Sequence, residues 1–424
     1  MQTQLSRLDN GIRVATCEMP HAQTVTVGIW AAVGGRYEPA HRSGIAHFIE
    51  HLLFKGTKKR SARQISQAVE GIGGYLNAFT SEESTCYLAS SAAEHFPRVF
   101  SVLADMYLEP RFAPADIERE RGVIGEEILM YRDDPSQYVH ELLSDVYWPD
   151  HPLGRQLTGS VKTIEGMHRK DFLDFRSQHY HGGNTVITAA GKVSHEKLVE
   201  TVDKLFRSLK RKPKSKFLPA PAPRRSVKVK TAFRDIEQTN AAFALPAFSI
   251  YDSRRYALNL LNIILGGNMS SRLFQEIREK RGYCYSISSH ASLFHDTGTF
   301  GITAGLDRKN LEKSIQLILR EFERLRERPV GPSELRRAKD YAIGSSRMSL
   351  ERTSSQNSRL GYSILTHDRL VDSESIHEKL RAVTAEEIQK VAQTILRPDR
   401  LTLAVVGPVK DEDAVRQLLL KNIA

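Results

Sequence analysis

The stretch AHFIEHLLFKGT, residues 46–57, combines an apolar run with ionisable side chains. It places His47 and His51 four residues apart in an apolar run, with Glu50 beside the second histidine. The apolar residues recur at helical spacing, and a helix turns about 100° per residue, so the two imidazoles can converge on one ion. Two such histidines, with an adjacent carboxylate that can reach a water on the ion, indicate a hydrolytic zinc site. The alternative is a pair of core histidines with a chance carboxylate, which would be costly to bury.

A catalytic zinc ion needs a third protein ligand and an open position for water. The predicted helix DIERERGVIGEEILMYRDD, residues 116–134, offers four glutamates, Glu118, Glu120, Glu126 and Glu127. Glu120 and Glu127 are seven residues apart and share a face with Val123 and Ile124, which we expect to point inward. The other two glutamates fall on faces that we expect to be solvated. Either Glu120 or Glu127 is therefore the predicted ligand, with the other as its supporting partner, and spacing leaves the choice open.

Composition indicates a soluble globular protein. The chain has 424 residues, of which 40% are hydrophobic and 26% are charged, and this length predicts two or more domains. No apolar run reaches the roughly 20 residues that span a bilayer, and the N-terminus resembles neither a signal peptide nor a transit peptide. Three scattered cysteines, Cys17, Cys86 and Cys284, favour a reducing compartment, and we predict the bacterial cytoplasm. The net charge of +11 is spread along the chain, so we expect no nucleic-acid partner.

A change of composition near the midpoint indicates a domain boundary. The segment KRKPKSKFLPAPAPRR, residues 210–225, mixes basic residues with prolines and is expected to be extended and exposed. We predict that it links an N-terminal domain, residues 1–209, to a C-terminal domain, residues 226–424.

The two halves of the chain resemble each other. Gly191 and Gly407 end similar segments 216 residues apart, and Pro114 and Pro332 begin similar charged helices 218 residues apart. Such offsets indicate a tandem duplication of about 200 residues, although any two α/β domains share some likeness. The predicted strands and helices are interspersed rather than alternating, which favours an α+β fold with helices covering sheets. The second half has no His or Glu in NLLNIILGG, residues 259–267, where the offset places the metal motif, so we expect it to be metal-free.

The metal motif also carries a family resemblance. HFIEH is the inverted zinc motif HxxEH, and residues 34–57 around it are similar to the signature of the pitrilysin/insulinase metallopeptidases. The chain resembles mitochondrial processing peptidase β-subunits and their bacterial relatives from about residue 5 to its end. The resemblance implies one Zn²⁺ per chain and a third ligand in an E…VIxEE context, which is Glu127, with Glu120 as the supporting carboxylate. It also implies two homologous α/β-sandwich domains facing each other, and two chains forming a clamshell.

The segment GGYLNAFTSEESTCY, residues 73–87, is similar to the family's edge strand beside the zinc. On its own it predicts a Gly-Gly turn followed by a strand, and an exposed edge can pair with an extended peptide. We therefore expect Asn77, Ala78 and Phe79 to contact substrate. The alternative is an ordinary hairpin.

The segment SSRLFQEIREKRGYCYSI, residues 270–287, resembles a family element with an Arg and a Tyr seven residues apart. Arg278 and Tyr285 occupy these positions, and the resemblance implies that they stabilise the oxyanion of the substrate. The sequence alone would favour a surface ion pair for Arg278 and strand packing for Tyr285. The loop DHPLGRQLTGS, residues 150–160, also looks family-like, and we expect it to be structural.

Together these features predict a zinc-dependent endopeptidase of the processing-peptidase type. Glu50 would act as general base, and a chamber with backbone recognition would select unfolded, extended peptides or presequence-like segments. A homodimer is expected, with a hetero-oligomer as the alternative. Three rival interpretations are a non-enzymatic scaffold, a subunit that requires a different partner chain, and a module that binds anionic polymers.

Overall fold

The structure is a computed structural model that describes residues 1–223 and 225–421. The first half of the chain forms, in order, β1 (Gln2–Arg7), β2 (Arg13–Glu18), β3 (Thr24–Ala31), α1 (Ile45–Leu53), α2 (Ala62–Val69), β4 (Tyr75–Thr80), β5 (Thr85–Ala92), α3 (Phe96–Leu108), α4 (Pro114–Asp133), α5 (Pro135–Tyr147), α6 (Val161–Glu165), α7 (Arg169–His179), β6 (Thr185–Gly191) and α8 (His195–Leu205). The second half forms β7 (Lys228–Phe233), β8 (Gln238–Ala247), α9 (Arg255–Leu265), β9 (Cys284–Leu293), β10 (Gly298–Asp307), α10 (Leu311–Glu327), α11 (Pro332–Leu350), α12 (Thr353–His367), α13 (Ser373–Ala382), α14 (Ala385–Ile395), β11 (Thr402–Gly407) and α15 (Glu412–Lys421), with a π-helical segment, Phe274–Glu279, before β9.

The chain forms two compact units, each made of three segments. The first unit comprises Met1–Leu129, Arg155–Leu218 and Arg347–Val371. Its six-stranded sheet has the order β1-β2-β6-β3-β5-β4, with β2 parallel to β6 and the other pairs antiparallel. The strand β4 therefore lies at an edge of this sheet, as the sequence predicted for residues 73–87.

Helices cover both faces of the sheet in the first unit. On one face α1, α3 and α7 contribute to a large core in which the ring centroids of Phe48 and Phe172 lie 4.7 Å apart. On the other face α12 packs Leu360 and Ile364 into a smaller core with Trp30. Because both faces of β3 are covered, almost all of its residues are buried, and buried and exposed residues do not alternate along it.

The second unit comprises Met130–Gly154, Pro219–Ser346 and Asp372–Ala424. Its five-stranded sheet has the order β7-β11-β8-β10-β9. Alternate residues of β8 point to opposite faces, so Phe243 and Leu245 enter the larger core while Ala242 and Ala244 contact α5. Through Val139, α5 fills the space above these small side chains.

The strand order of the two sheets repeats, which agrees with the duplication inferred from the sequence. The order β2-β6-β3-β5-β4 in the first sheet corresponds strand by strand to β7-β11-β8-β10-β9 in the second sheet. The strand β1 is an addition to the first sheet. The helices after the two long charged helices are exchanged, since α5 belongs to the second unit and α12 belongs to the first. The units therefore differ from the contiguous halves 1–209 and 226–424 at these two segments. The α+β class with two domains is confirmed.

The segment between the halves is largely exposed and lies in no helix or strand, as expected for residues 210–225, with Arg224 outside the described residues. Its Phe217 is nevertheless packed, because the guanidinium of Arg36 lies 4.0 Å from the centroid of its ring. The backbone N–H of Ala220 donates to Asp296 at 2.8 Å. Within residues 1–223 and 225–421, no helix is long and apolar enough to cross a membrane.

Candidate metal centre

The helix α1 is amphipathic in a way that presents its ionisable residues together. Phe48 and Leu52 are buried in the core of the first unit, whereas His47, Glu50 and His51 are only partly covered. Since residues four apart lie on one face of a helix, the two imidazoles are neighbours, with ring centroids 4.6 Å apart. The predicted helix is thus present and carries its histidines on one side.

The two imidazoles meet a carboxylate from α4. The Nε2 atoms of His47 and His51 each lie 3.7 Å from Oε2 of Glu127. Among the described residues these three form the one group of at least three potential ligands whose ligand atoms all lie within 4.8 Å of one another. The structure therefore places Glu127, rather than Glu120, opposite the histidine pair.

The donor set fits a zinc ion. Two imidazole nitrogens and a carboxylate oxygen are the ligands of catalytic zinc, and atoms about 2.1 Å from a tetrahedral ion lie about 3.4 Å apart, close to the separations seen here. Burial, with a smaller effect of the neighbouring His51, lowers the pKa of His47 to about 4. At neutral pH His47 is therefore uncharged and keeps a lone pair for a metal.

Glu120 occupies a different place from Glu127. The residue is 1% exposed, and its Oε2 lies 3.3 Å from Nδ1 of His51, while the ammonium of Lys55 lies 2.8 Å from Oε1. This arrangement fixes the orientation of the His51 ring and directs its Nε2 towards Glu127. The positive charge of Lys55 compensates the buried carboxylate of Glu120, because an unpaired buried charge would destabilise the fold.

The expectation for the inward face of α4 was wrong at one position. Ile124 is fully buried, but Val123 is 46% exposed. The buried stripe of α4 follows Ile117, Glu120 and Ile124, at helical spacings of three and four, and Val123 lies about 100° away from Ile124. Glu118 and Glu126 are exposed, as predicted.

Glu50 is held by the neighbouring sheet. The hydroxyl of Thr80, the last residue of β4, donates to Oε2 of Glu50 at 2.5 Å. Burial raises the pKa of Glu50, against the smaller lowering effects of the Thr80 hydrogen bond and His51. A carboxylate with a raised pKa is better matched to proton transfer near neutral pH than an ordinary one.

The three residues predicted to contact substrate lie on the edge strand β4. The side chain of Asn77 is exposed, and Ala78 packs towards the core that contains α1. Phe79 points to the opposite face, where its ring lies edge-on to Trp30 with centroids 5.6 Å apart. β4 pairs with β5 on one side, so its other side remains an open sheet edge within the first unit.

Arg278 and Tyr285 come together in the second unit. Arg278 lies in the π-helical segment with its guanidinium 5.7 Å from the centroid of the Tyr285 ring and 4.7 Å from that of Phe274. Tyr285 is 80% exposed on β9, an edge strand, so strand packing does not account for it.

Two residues of the site were not singled out from the sequence, Thr80 and Lys55. A signal existed for both. Thr80 follows Ala78 by two residues and so faces the same side of β4, and Lys55 follows His51 by four residues at helical spacing.

Comparisons with known proteins agree with this geometry. The family model described as "Insulinase (Peptidase family M16)" matches residues 13–161, and the one described as "Peptidase M16 inactive domain" matches residues 166–341. The metal cluster lies in the first of these regions, and Arg278 and Tyr285 lie in the second.

Two curated relatives are similar over almost their full length. One, named an uncharacterized zinc protease, from Streptomyces coelicolor, is 37% identical over 96% of this chain and 90% of its own. Another, the uncharacterized zinc protease YmxG of Bacillus subtilis, is 34% identical over 94% of this chain and 97% of its own. Among solved structures, a protease from Helicobacter pylori superimposes with a TM-score of 0.88 at 22% identity, covering 96% of this chain and 99% of that one, which shows a shared fold.

Proposed function

The chain belongs to the insulinase (M16) family of zinc peptidases, and we propose that it is an endopeptidase in which His47, His51 and Glu127 hold the zinc and Glu50 is the general base. The observation that carries the proposal is the convergence of three ligand atoms within 4.8 Å, beside a carboxylate on the same helix. The zinc protease activity itself follows from the family.

The chain's own residues account for the proton transfers. When bound, zinc would act as a Lewis acid that lowers the pKa of a water molecule and polarises the scissile carbonyl. Glu50 takes a proton from the attacking water and later passes it to the leaving amine. Because Thr80 donates to Oε2 of Glu50, we assign the transferred proton to Oε1. Glu120 keeps the His51 ring in place through its contact with Nδ1.

The open edge of β4 supports a substrate in extended conformation. A peptide added as a strand beside Asn77, Ala78 and Phe79 would be recognised mainly through its backbone, which favours unfolded segments of varied sequence over folded proteins. From the family resemblance we also propose that Arg278 and Tyr285 stabilise the oxyanion, and their close pairing and exposure support this role.

The test combines metal content with cleavage of a quenched fluorescent unstructured peptide. Wild type is compared with Glu50→Gln, which keeps the proposed ligands and removes the base. Glu126→Gln is the matched control, because it makes the same chemical change at an exposed position on α4. We expect about one zinc per chain in all three proteins. Cleavage should fall at least about 1,000-fold in Glu50→Gln alone, consistent with the loss of proton transfer.

The outcomes separate the parts of the proposal. Cleavage retained in Glu50→Gln would contradict its role as base. Absence of zinc from wild type would contradict the ligand assignment. Zinc binding without cleavage of a broad set of peptides would favour the alternative of a subunit that needs another chain. The homodimer, the processing-type substrate, the chamber and the cytoplasmic location stay predictions.

A further inference from the structure

The helix that carries the metal motif has an unusual beginning. Its N-cap is Gly44 at φ 95°, so no side chain of the N-cap residue can satisfy the first backbone N–H groups of α1. A Cβ at this glycine would lie 2.5 Å from the carbonyl oxygen of Thr158, so only glycine fits. The start of α1 is therefore pressed against the loop that the sequence led us to regard as structural.

The missing cap is supplied from a distance by Glu38. Its Oε2 accepts the N–H of Gly44 at 2.7 Å, and its Oε1 accepts the N–H of Ala46 at 2.8 Å. The side chain is buried, with Glu38 4% exposed. Its own position is fixed in turn, because Nη1 of Arg155 donates to its backbone oxygen at 2.9 Å.

The charge of Glu38 suits this position. A carboxylate at a helix N-terminus interacts favourably with the positive end of the helix dipole. Burial raises the pKa of Glu38 to about 8, whereas the N–H donors of Ala46 and Gly44 and the charge of Arg155 lower it. With a net pKa of about 8 the carboxylate prevails only above that pH, and its two oxygens then accept the two N–H groups.

The hydrogen bonds from Gly44 and Ala46 to Glu38 fix both the position of α1 along its own axis and its rotation about that axis. Ala46 immediately precedes His47, and Glu50 and His51 follow within the next turn and a half. A shift of α1 by a fraction of an ångström would move both imidazoles relative to Glu127, which lies on a different helix. Metal affinity and proton transfer are both sensitive to displacements of this size.

We propose that Glu38 is a positioning residue for the metal centre: its bidentate cap on α1 holds the histidine pair and the general base in register with Glu127. The inference rests on the proposed ligand set. Its role is distinct from plain helix stabilisation, because a stabilising cap would change only the melting temperature.

The test measures the metal site directly, at pH 8 and well below the melting temperature. Glu38→Gln keeps the size of the side chain and one acceptor oxygen, but its NH₂ cannot accept the second N–H. Asp372→Asn is the matched control, because Asp372 caps α13 by accepting the N–H of Ser375, and α13 carries none of the proposed ligands. The readouts are the zinc dissociation constant by chelator competition, the visible spectrum of the Co²⁺-substituted protein, and kcat and KM for an unstructured peptide.

We expect Glu38→Gln to weaken zinc binding about 10-fold, to alter the Co²⁺ spectrum, and to lower kcat about 10-fold with KM nearly unchanged. Asp372→Asn should match wild type in all three. If Glu38→Gln lowers the melting temperature but leaves zinc affinity, spectrum and kcat within about twofold of wild type, the proposal is overturned.

A second variant covers the case in which Glu38→Gln does not fold. Arg155→Met removes the donor to the backbone of Glu38 and should change zinc affinity and the Co²⁺ spectrum in the same direction but less, and an unchanged site would overturn the proposal. The metal readouts do not depend on peptide cleavage. A wild type that binds zinc but cleaves nothing would therefore contradict the proposed function without affecting this inference.

Discussion

Gly361, in the middle of α12, tests whether the second half of the chain really completes the core of the first unit. Replacing glycine with alanine inside a helix normally stabilises a protein by about 0.5–1 kcal/mol, because alanine loses less backbone entropy. Here a Cβ would lie 2.2 Å from Cε2 and 2.4 Å from Cζ2 of Trp30. Carbon atoms in van der Waals contact are about 3.5–4.0 Å apart, so α12 or the indole must move by more than about 1 Å.

The indole has little freedom to move. Trp30 is fully buried, its Nε1 donates to the hydroxyl of Thr188 at 2.9 Å, and that hydroxyl donates to Oδ1 of Asn357 at 2.7 Å. Overpacking costs about 1–3 kcal/mol, and a broken buried hydrogen bond adds about 1 kcal/mol. After the helix gain is subtracted, we expect Gly361→Ala to lower the free energy of unfolding by about 1–3 kcal/mol. This corresponds to a decrease in Tm of about 2–10 °C.

Gly344→Ala is the matched control, because Gly344 lies inside α11 and, apart from its chain neighbours and the backbone of its own helix, no described atom lies within 4 Å of its Cβ position. It should raise stability by about 0.5–1 kcal/mol. Both variants are followed by denaturant titration monitored by far-UV circular dichroism, because Gly361 lies in the first unit and Gly344 in the second. If Gly361→Ala stabilises as much as Gly344→Ala, α12 does not pack on Trp30 and the exchange of helices is wrong.

Three further predictions concern the metal centre. In metal-free protein burial lowers the pKa of His47 from 6.5 to about 4, so the unfolded chain binds the proton first and the folded state loses stability as pH falls from about 6.5 to 4. The variant His47→Gln lacks this loss. Denaturation at several pH values should show that the stability of the variant relative to wild type improves by up to about 3 kcal/mol over this range. Thr80→Val removes the hydroxyl that donates to Glu50 and should lower kcat about 5- to 30-fold with zinc retained. Thr80→Ser keeps a hydroxyl and should recover most of the rate. Equal rates for the two variants would contradict a role of this hydrogen bond in catalysis. Lys55→Met leaves the charge of the buried Glu120 without its ion-pair partner and should weaken zinc binding about 10-fold in a chelator competition, whereas Lys55→Arg should not. Unchanged zinc affinity in Lys55→Met would show that the Lys55–Glu120 ion pair is not needed for metal binding.

Much of the site could be predicted because it is local. His47, Glu50 and His51 lie within one and a half turns, so helical periodicity alone places them together. The same periodicity put Glu120 and Glu127 on one face of α4 but could not say which meets the histidines. That choice depends on how α4 packs against α1. The family resemblance implied Glu127 as the ligand, and in the structure Glu127 lies near the Nε2 atoms of both histidines.

The parts that could not be predicted depend on contacts between distant segments. The alternation along β4 puts Thr80 on the same face as Ala78, but it does not show that this face meets Glu50, 30 residues earlier in the chain. Similarly, the amphipathic patterns of α5 and α12 show that each covers an apolar surface, but they do not say which sheet. The change of composition at residues 210–225 favoured contiguous halves, whereas in the structure α12 supplies Leu360 and Ile364 to the core beside Trp30.

The exchange of helices gives a physical reason why a half without the HxxEH motif is retained in the same chain as the half that carries it. In chain order α9 corresponds to α1, yet it contains neither His nor Glu, so the second unit has no metal pair at that place. The first unit nevertheless takes α12 from the second half of the chain, and Leu360 and Ile364 shield a face of its sheet that would otherwise be open to water. Burying two such side chains contributes about 3–6 kcal/mol, a large share of the stability of a typical domain. Loss of the second half would therefore destabilise the fold that holds His47, Glu50 and His51, whatever the second unit contributes to substrate binding.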